Sequence, residues 1–360
     1  MLRETLPGTD YYAPEVFALD REKVFFASWL CVGRVEDVAE PGQWVTVDVV
    51  GESVLVVRGK DGVIRAFYNV CRHRGSRLCD GEAGRVTSGF SCPYHAWRYS
   101  LEGRLRGTPN VPREEVPRSD YGLWPVHIDT WQGFLFVNLG KEDPPPLREA
   151  LDRDGVLDFE RFDLTGLRRG FRVTHEVQAN WKIIVANYNE CLHCPTVHPE
   201  LVDIVPVFRS GVVAEQGRTD GGVSLAGGRT SMSASAEHDL LRIPGMSDDE
   251  AGSYYGALIF PGMFLDVSGC EVVASMVQPT GPASSRIVTD YLFHPDSVAS
   301  PDFDPSAVVE FNELVAGQDN TVCERTQKGV MSRAFSRGVY PEKDADVHAF
   351  ESRYTSMRDS

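Results

Sequence analysis

Alternating apolar and polar positions predict β-structure in the first half of the chain. VTVDVVG, SVLVVRGKDG, IRAFYNV and GFLFVNLG, all within residues 41–140, alternate or are continuously apolar, as half-buried and fully buried strands are. Lys60-Asp61-Gly62 has the composition of a hairpin turn. The stretch KEDPPPL, residues 141–147, cannot continue a strand or a helix, because proline fixes φ and lacks an N–H. We therefore predict an all-β domain that ends there.

The second half of the chain mixes strand and helix patterns. RGFRVTHEVQANW predicts a strand, and WKIIVANYNECLHCPTVHPEL predicts a helix that is broken near its end. Three later segments predict an antiparallel sheet: GSYYGALIFPGMFLDV, EVVASMVQPT and RIVTDYLFHP. Residues 305–332 have the apolar spacing of a helix, and residues 209–253 predict a long loop that can cover a pocket. The predicted fold class is α+β.

Composition and charge narrow the classes of function. The 360 residues are 42% hydrophobic and 24% charged, which is typical of a soluble globular protein. We find no run of about 18 apolar residues and no signal peptide, so we expect a cytoplasmic protein. The net charge of −16 disfavours nucleic acid and anionic membranes as partners. The eight cysteines, spread through a long chain, favour reduced thiols and metal ligands over a disulfide framework.

Two short clusters of cysteine and histidine form the strongest local motif. Cys71-Arg-His73 is followed, after 18 residues, by Cys92-Pro-Tyr-His95. In a Rieske centre two thiolates hold one iron and two imidazoles hold the other, which raises the reduction potential of the cluster. A zinc site of the same composition is the alternative, although zinc fingers usually pair Cys with Cys and His with His. The mixed pairs favour the Rieske site, with Cys79 as a bystander.

A second metal site is predicted in NYNECLHCPTVHP, residues 187–199. Glu190 and His193 are three residues apart and share a face of an ideal helix, whereas His193 and His198 do not. Both histidines can bind one ion only if the helix is interrupted, and Pro195 would interrupt it. Two histidines and one carboxylate with open positions form the facial triad of non-haem iron oxygenases.

The carboxylate of that triad stays open on spacing alone. Asp319, in the helical stretch QDNTV, is the candidate, while Glu313 and Glu324 fit solvated charges on a helix face equally well. Cys191 and Cys194 form a CxxC pattern that can bind zinc or act as a redox dithiol, although such pairs normally lie in loops or at helix starts. Core or surface roles are expected for the isolated histidines, which are His127, His175, His238, His294 and His348.

Five segments give the chain a resemblance to the α-subunits of Rieske non-haem iron oxygenases. They are YYAPEVFALDREKVFFASWLCVGR, AFYNVCRHRGSRLC, CPYHAWRYSLEGRLRGTP, NWKIIVANYNECLHCPTVHP and QDNTVCERTQKGVMS. The resemblance implies an N-terminal segment packing on the catalytic domain (1–40), a Rieske domain (41–145) and a helix-grip catalytic domain with mononuclear iron (146–360). The implied ligands of the [2Fe-2S] cluster are Cys71, His73, Cys92 and His95, and those of the iron are His193, His198 and Asp319.

The resemblance also implies an assembly and a reaction. Members form head-to-tail trimers in which the cluster of one protomer serves the iron of the next, and Glu190 would hydrogen-bond both His193 and His95 of the adjacent subunit. Glu190 and the nearby Asn187 are the catalytic candidates. The implied reaction uses O2 and Fe(II) to hydroxylate a C–H bond. A separate flavin and iron–sulfur reductase would supply electrons from NAD(P)H, because this chain has no GxGxxG after a strand.

The segment that begins at Glu190 looks like that of the choline, glycine betaine, carnitine and stachydrine oxygenases. This implies a small quaternary ammonium substrate and either hydroxylation or oxidative N-demethylation. The chain departs from that group at Ala186, Leu192 and Gln318, and it has DVSGC at 266–270 where a His-Pro-Asp-Tyr stretch is expected.

An aromatic cage is expected around such a cation, because cation–π attraction replaces its lost hydration. The candidates for this cage are Tyr254, Tyr255, Phe260 and Phe264. Three alternatives stay open: a hydroxylase or O-demethylase of an aromatic or natural-product substrate, an electron carrier without catalysis, and a zinc-stabilised binding module.

Overall fold

The structure, a computed structural model, describes residues 2–112, 114–216, 218 and 220–360. It contains two units, each with its own core. One runs without interruption from Phe26 to Leu147, and the other joins the residues up to Phe25 with Arg148–Ser360. The beginning of the chain therefore folds with its second half, although the smaller unit separates the two in sequence.

The strands and helices that the hydrophobic pattern predicts occur in the structure, with shorter elements between them. Within the described residues the strands, β1 to β18 in chain order, are Arg3–Glu4, Leu30–Arg34, Gln43–Val49, Glu52–Arg58, Ile64–Tyr68, Ala83–Arg85, Phe90–Ser91, Arg98–Tyr99, Leu105–Gly107, Pro125–Trp131, Phe134–Asn138, Arg168–Val177, Val223–Ser224, Ser253–Ile259, Met263–Val267, Glu271–Gly281, Ser284–Phe293 and Val339–Tyr340. The α-helices of the same residues, α1 to α9, are Pro14–Leu19, Leu147–Arg153, Trp181–Tyr188, Cys194–Val197, Pro199–Ile204, Asp248–Ala251, Pro295–Ala299, Ser306–Val330 and Ala345–Arg358. No helix in this part of the chain combines the length and the apolar composition that a membrane span needs.

The smaller unit is built on β-sheet, as predicted. Seven strands pair in the order β2-β11-β10-β5-β4-β3-β6, and a second sheet contains β7, β8 and β9. The hairpin turn between β4 and β5 is confirmed: the N–H of Gly59 donates to Val63 O at 2.8 Å, and Gly62 has a φ of +79°, which glycine adopts without strain.

Strand β4 lies between two hydrophobic cores. Residues 54–57 are all 0% exposed, so the strand is covered on both faces. Because successive side chains of a strand point to opposite faces, Leu55 and Val57 pack in the core that holds the two cysteines of the Cys-His clusters. Val54 and Val56 pack in the other core, under β10 and β11. The two cores fix the position of the loops that carry the clusters.

The larger unit combines an antiparallel sheet with helices, which confirms the α+β fold class. Six strands pair in the order β12-β17-β16-β15-β14-β13. Helix α3 packs against α8 and β16, and α8 packs against β12. The predicted strands at β12 and β14 to β17 and the predicted helix at α8 are confirmed.

Buried Asp20 ties the N-terminal segment to the start of α3. Its carboxylate accepts hydrogen bonds from Trp181 Nε1 at 3.0 Å and Tyr354 Oη at 2.7 Å. Lys182 Nζ lies 2.5 Å from the same carboxylate, and the two side chains are 1% and 0% exposed. The side chain of Asn180 accepts from the N–H of Lys182 and so caps the helix. These contacts hold α3 where its far end reaches the predicted metal site.

Candidate functional site

The two Cys-His clusters lie on loops with the same local geometry. The carbonyl of Cys71 accepts from the N–H of Gly75, and that of Cys92 accepts from the N–H of Ala96, both at 3.0 Å. Gly75 and Ala96 have φ values of +74° and +55°, so each loop turns sharply four residues after its cysteine. Each turn places a histidine between the cysteine and the turning residue.

The turns bring cysteine to cysteine and histidine to histidine. Both thiols are buried, and burial raises the pKa of Cys71, which also lies close enough to Cys92 to interact with it. The rings of His73 and His95 face outward with their centroids 4.6 Å apart. Two thiols inside and two imidazoles outside fit a cluster whose irons carry different ligands. The hydroxyl of Tyr99 lies 3.3 Å from Cys71 Sγ and adds a hydrogen bond to a sulfur.

The second predicted site lies where α3 ends, and its local structure corrects the prediction. The helix ends at Tyr188, so Glu190 and His193 lie in a turn and do not share a helix face. Pro195 does not cause this break. It lies in the first turn of α4, where its missing N–H leaves no hydrogen bond unmade, and Pro199 does the same in α5.

The turn brings three predicted ligands together. His193 Nε2 lies 3.3 Å and His198 Nε2 lies 2.9 Å from the same oxygen of Asp319. One donor atom from each residue falls within 4.8 Å of the others, which suits a single metal ion. Burial opposes a charge on His193, but Asp319 and Glu190 outweigh it and raise the pKa of His193 to about 9. The arrangement therefore favours positive charge between these side chains, as a site for a cationic metal does.

Hydrogen bonds orient both imidazoles toward Asp319. His193 Nδ1 lies 2.5 Å from a Glu190 oxygen, and His198 Nδ1 lies 2.7 Å from Gln318 Oε1. Since each Nδ1 has an acceptor, each Nε2 is left free to bind a metal. From the sequence, Gln318 is only a departure from the family pattern, and its role as a hydrogen-bond acceptor comes from the structure.

The turn also contains Cys191 and Cys194, for which the sequence predicts reduced thiols. Cys191 and Cys194 form a disulfide with a Cα–Cα distance of 5.0 Å, so the expectation of reduced thiols is wrong for this pair. The CxxC pattern lies in the turn and at the start of α4, not within a helix as the sequence suggested, and this brings the two thiols into bonding distance. The disulfide closes the turn around His193.

A cavity of about 360 Å³ contains the triad and extends toward the sheet. Its volume suits a small molecule. Asn187 lines it, with Nδ2 3.4 Å from His193 Nε2. The aromatic residues of its wall are Tyr188, Phe208, Tyr254, Phe264, Tyr291 and Phe311. Val213, Gly221, Val223 and Met232, from the predicted long loop, also line it.

Two of the four cage candidates lie on this wall and two do not. Tyr254 and Phe264 line the cavity, whereas Tyr255 packs on Phe162 and Phe260 packs on Phe350. Adjacent residues of a strand face opposite sides, so Tyr254 and Tyr255 could not both contribute. The sequence assigned no cavity role to Tyr188, Asp266, His175 or Glu313, which also line the wall.

Comparison with known families decides the class of protein. Residues 164–360, more than half of the chain, match the family of the ring hydroxylating alpha subunit (catalytic domain), and residues 28–127 match the Rieske [2Fe-2S] domain. The chain belongs to the Rieske non-haem iron oxygenases. This oxygenase component carries a Rieske cluster and a mononuclear iron, and it takes electrons from a separate reductase.

Individual relatives of this Rieske oxygenase agree with that assignment. The glycine betaine monooxygenase oxygenase subunit of Chromohalobacter salexigens is 30% identical over 93% of this chain and 81% of its own length. The carnitine monooxygenase oxygenase subunit of Escherichia coli K12 is 30% identical over 92% of this chain and 85% of its own length.

Solved structures share the fold. A quaternary ammonium Rieske monooxygenase in complex with L-carnitine has a TM-score of 0.78 at 23% identity, covering 99% of this chain and 96% of its own. Another structure, described as revealing inter-subunit electron transfer, has a TM-score of 0.81 at 24% identity over the same shares. Naphthalene 1,2-dioxygenase from Rhodococcus sp. has a TM-score of 0.74 at 18% identity, covering 98% of this chain and 94% of its own.

Proposed function

We propose that this Rieske oxygenase oxidises an N-methyl carbon of a small quaternary ammonium substrate. The observation that carries the proposal is the aromatic wall of the cavity that also contains the histidine–carboxylate triad. Aromatic faces attract a cation that cannot donate hydrogen bonds, and the methyl groups form the outer surface of a quaternary nitrogen. A methyl carbon is therefore the part of the substrate that comes nearest to the triad.

The arrangement of the wall supports a cage. Tyr188 and Phe264 stack with their ring centroids 4.0 Å apart and their planes 5° from parallel. Phe208 and Tyr254 meet edge to face at 5.9 Å. The relatives act on glycine betaine and on carnitine, and both of these contain a quaternary nitrogen.

We assign the metal ligands as the sequence predicts them. The cluster would be held by Cys71, His73, Cys92 and His95, and the iron by His193, His198 and Asp319. The iron, when bound, supplies O2 activation next to the substrate. The protein leaves the cavity side of the triad open to substrate and fixes the orientation of both imidazoles by hydrogen bonds.

Glu190 is proposed to connect two subunits of a homotrimer. One of its oxygens bonds His193 Nδ1, the other accepts from the N–H of Leu192, and the side chain is 18% exposed. We propose that it reaches His95 of the adjacent protomer, so that reductase electrons cross there. Asn187 is proposed to position the substrate or O2 beside His193, because its amide faces the same cavity.

The product of this reaction decides between demethylation and simple hydroxylation. Insertion of one oxygen atom into a C–H bond of the N-methyl group, with two electrons and two protons reducing the other oxygen to water, gives an N-hydroxymethyl cation. Loss of a proton from its hydroxyl then breaks the C–N bond and releases formaldehyde and a tertiary amine.

The division of the chain into domains at residues 40 and 145 and its cytoplasmic location stay predictions.

A substrate screen tests the proposal. The metal-loaded protein, with a surrogate reductase and NADH, is incubated with choline, glycine betaine, carnitine and a panel of methoxylated aromatics. We expect formaldehyde from at least one quaternary amine and none from the His193→Ala variant. Formaldehyde or phenols from the aromatics alone would show that the alternative, an O-demethylase or aromatic hydroxylase, is correct.

A further inference from the structure

Asp266 is a carboxylate on the cavity face of β15. The hydroxyls of Tyr188 and Tyr254 both donate to its Oδ1, at 2.7 and 2.6 Å. Its neighbours in the strand, Leu265 and Val267, are 0% exposed and belong to the opposite face. Asp266 keeps part of its surface accessible and lines the cavity, so that surface faces the space a substrate would fill.

Gly256 keeps the space above this carboxylate open. It pairs with Asp266 across β14 and β15. A Cβ at this position would lie 2.6 Å from the hydroxyl of Tyr254 and 3.3 Å from Asp266 Oδ1. Any larger residue would therefore displace the tyrosine or cover the carboxylate.

Outside the histidines of the triad and His175, the described lining of the cavity offers no basic side chain to balance its acidic ones. Among the lining residues that the structure describes, Lys and Arg are absent and the carboxylates are Glu190, Asp266, Glu313, Asp319 and Asp346. His175 is paired with Glu313 at 2.7 Å, and Glu313 also accepts from Tyr291 at 3.0 Å. The charge and hydrogen bonds of Glu313 are therefore matched by these two neighbours. Burial raises the pKa of Asp266 to about 6, although the hydrogen bonds from its two tyrosines lower it. At neutral pH Asp266 therefore carries a negative charge, and no Lys or Arg among the described lining residues pairs with it.

We propose that Asp266 is the counter-ion for the substrate nitrogen and that the substrate is an N-methylated cation without a carboxylate. The proposal rests on the function proposed above and narrows its substrate class. A zwitterionic betaine would place its own carboxylate in a cavity lined by five carboxylates, where no Lys or Arg of the described residues can pair with it, and this is costly. An amino alcohol such as choline, or a simple alkylated amine, meets no such repulsion.

The connection to the triad runs through consecutive residues at the end of α3. Tyr188 bonds Asp266, and its neighbour Asn187 approaches His193 Nε2 at 3.4 Å. A cation held against Asp266 and the Tyr188 ring therefore lies in the same cavity as the triad, with its methyl groups free to face the metal ligands. Asp266 would determine specificity without taking part in the chemistry.

Equilibrium binding separates the charge from the shape of the substrate. Calorimetry on the metal-loaded holoprotein compares choline with glycine betaine and with 3,3-dimethyl-1-butanol, a neutral molecule of the same shape as choline. We expect wild-type protein to bind choline at least about tenfold more tightly than glycine betaine. Asp266→Asn should weaken choline binding by about 10- to 100-fold and leave the neutral alcohol unchanged.

The neutral alcohol also controls for folding, because a misfolded variant would lose both ligands. Asp249→Asn, which removes the same charge from a side chain that is 82% exposed, is the matched control and should bind choline like the wild type. The inference is overturned if glycine betaine binds as tightly as choline, or if Asp266→Asn keeps its choline affinity. No binding of any quaternary amine, with the alcohol or an aromatic bound instead, would overturn the proposed function itself.

Discussion

Replacing Asp20 by Asn removes one charge of a buried ion pair while keeping the size of the side chain. The amide oxygen can still accept from Trp181 or Tyr354, so the loss falls on Lys182, whose side chain is 1% exposed and whose ammonium loses its counter-charge. Leaving one ion of a buried pair alone costs about 3–5 kcal/mol. For a unit of this size, where each kcal/mol changes the melting temperature by about 2–4 °C, the transition should fall by about 6–20 °C.

The pH dependence of the stability of Asp20→Asn provides a second, independent test. Burial lowers the pKa of Lys182 below its ordinary value of 10.5, while Asp20 opposes the shift. Between the folded and unfolded pKa values the unfolded chain binds more protons, so stability rises as the pH increases through that window. Without Asp20 the window widens toward neutral pH, and Asp20→Asn should gain stability relative to the wild type as the pH is raised.

Differential scanning calorimetry of the holoprotein measures both effects on the transition of the larger unit. Asp248→Asn, at a side chain that is 99% exposed, is the control and should melt like the wild type. A melting temperature for Asp20→Asn within a degree or two of this control would refute the reasoning, because it would mean that the N-terminal segment does not anchor α3.

Three further predictions concern the site. Gln318→Leu removes the acceptor of His198 Nδ1 and should weaken iron binding by about 10- to 100-fold in chelator competition, whereas Gln318→Glu, which keeps an acceptor, should stay near the wild type. Glu190→Gln should keep the EPR signal of the reduced cluster but stop substrate turnover, and unchanged turnover would remove the proposed connection between subunits. Choline affinity should rise with pH through about 6, as Asp266 loses its proton, and a flat profile from pH 5 to 8 would contradict the role of that carboxylate.

The sequence could predict what is local or periodic. Within each Cys-His cluster the two ligands lie two or three residues apart, so Cys71 and His73 indicate a metal site without knowledge of the fold. The continuous apolar run of residues 54–57 predicts a strand, and the structure shows that both of its faces are buried. Resemblance to a family was needed for Asp319, because nothing in the spacing shows that α8 returns to the end of α3.

The errors and omissions have physical reasons. Pro195 suggests a helix break, yet proline is equally suited to the first turn of a helix, and the sequence does not distinguish the two. The strand alternation that separates Tyr254 from Tyr255 was available in the sequence, but the face toward the cavity depends on the sheet. A single acidic residue in a strand does not indicate a binding site, so the sequence does not single out Asp266. Its environment depends on Tyr188, which lies 78 positions away and donates to it.

Product analysis with a labelled substrate tests the central claim most directly. The wild-type oxygenase, loaded with its metals and supplied with reductase, NADH and O2, is given choline carrying ¹³C in its N-methyl groups, and the products are followed by NMR. We predict ¹³C-formaldehyde and N,N-dimethylethanolamine in equal amounts, one NADH consumed for each, and neither product from His198→Ala. NADH oxidation with the label remaining entirely in an intact trimethylammonium group would contradict the claim that an N-methyl carbon is oxidised at this triad.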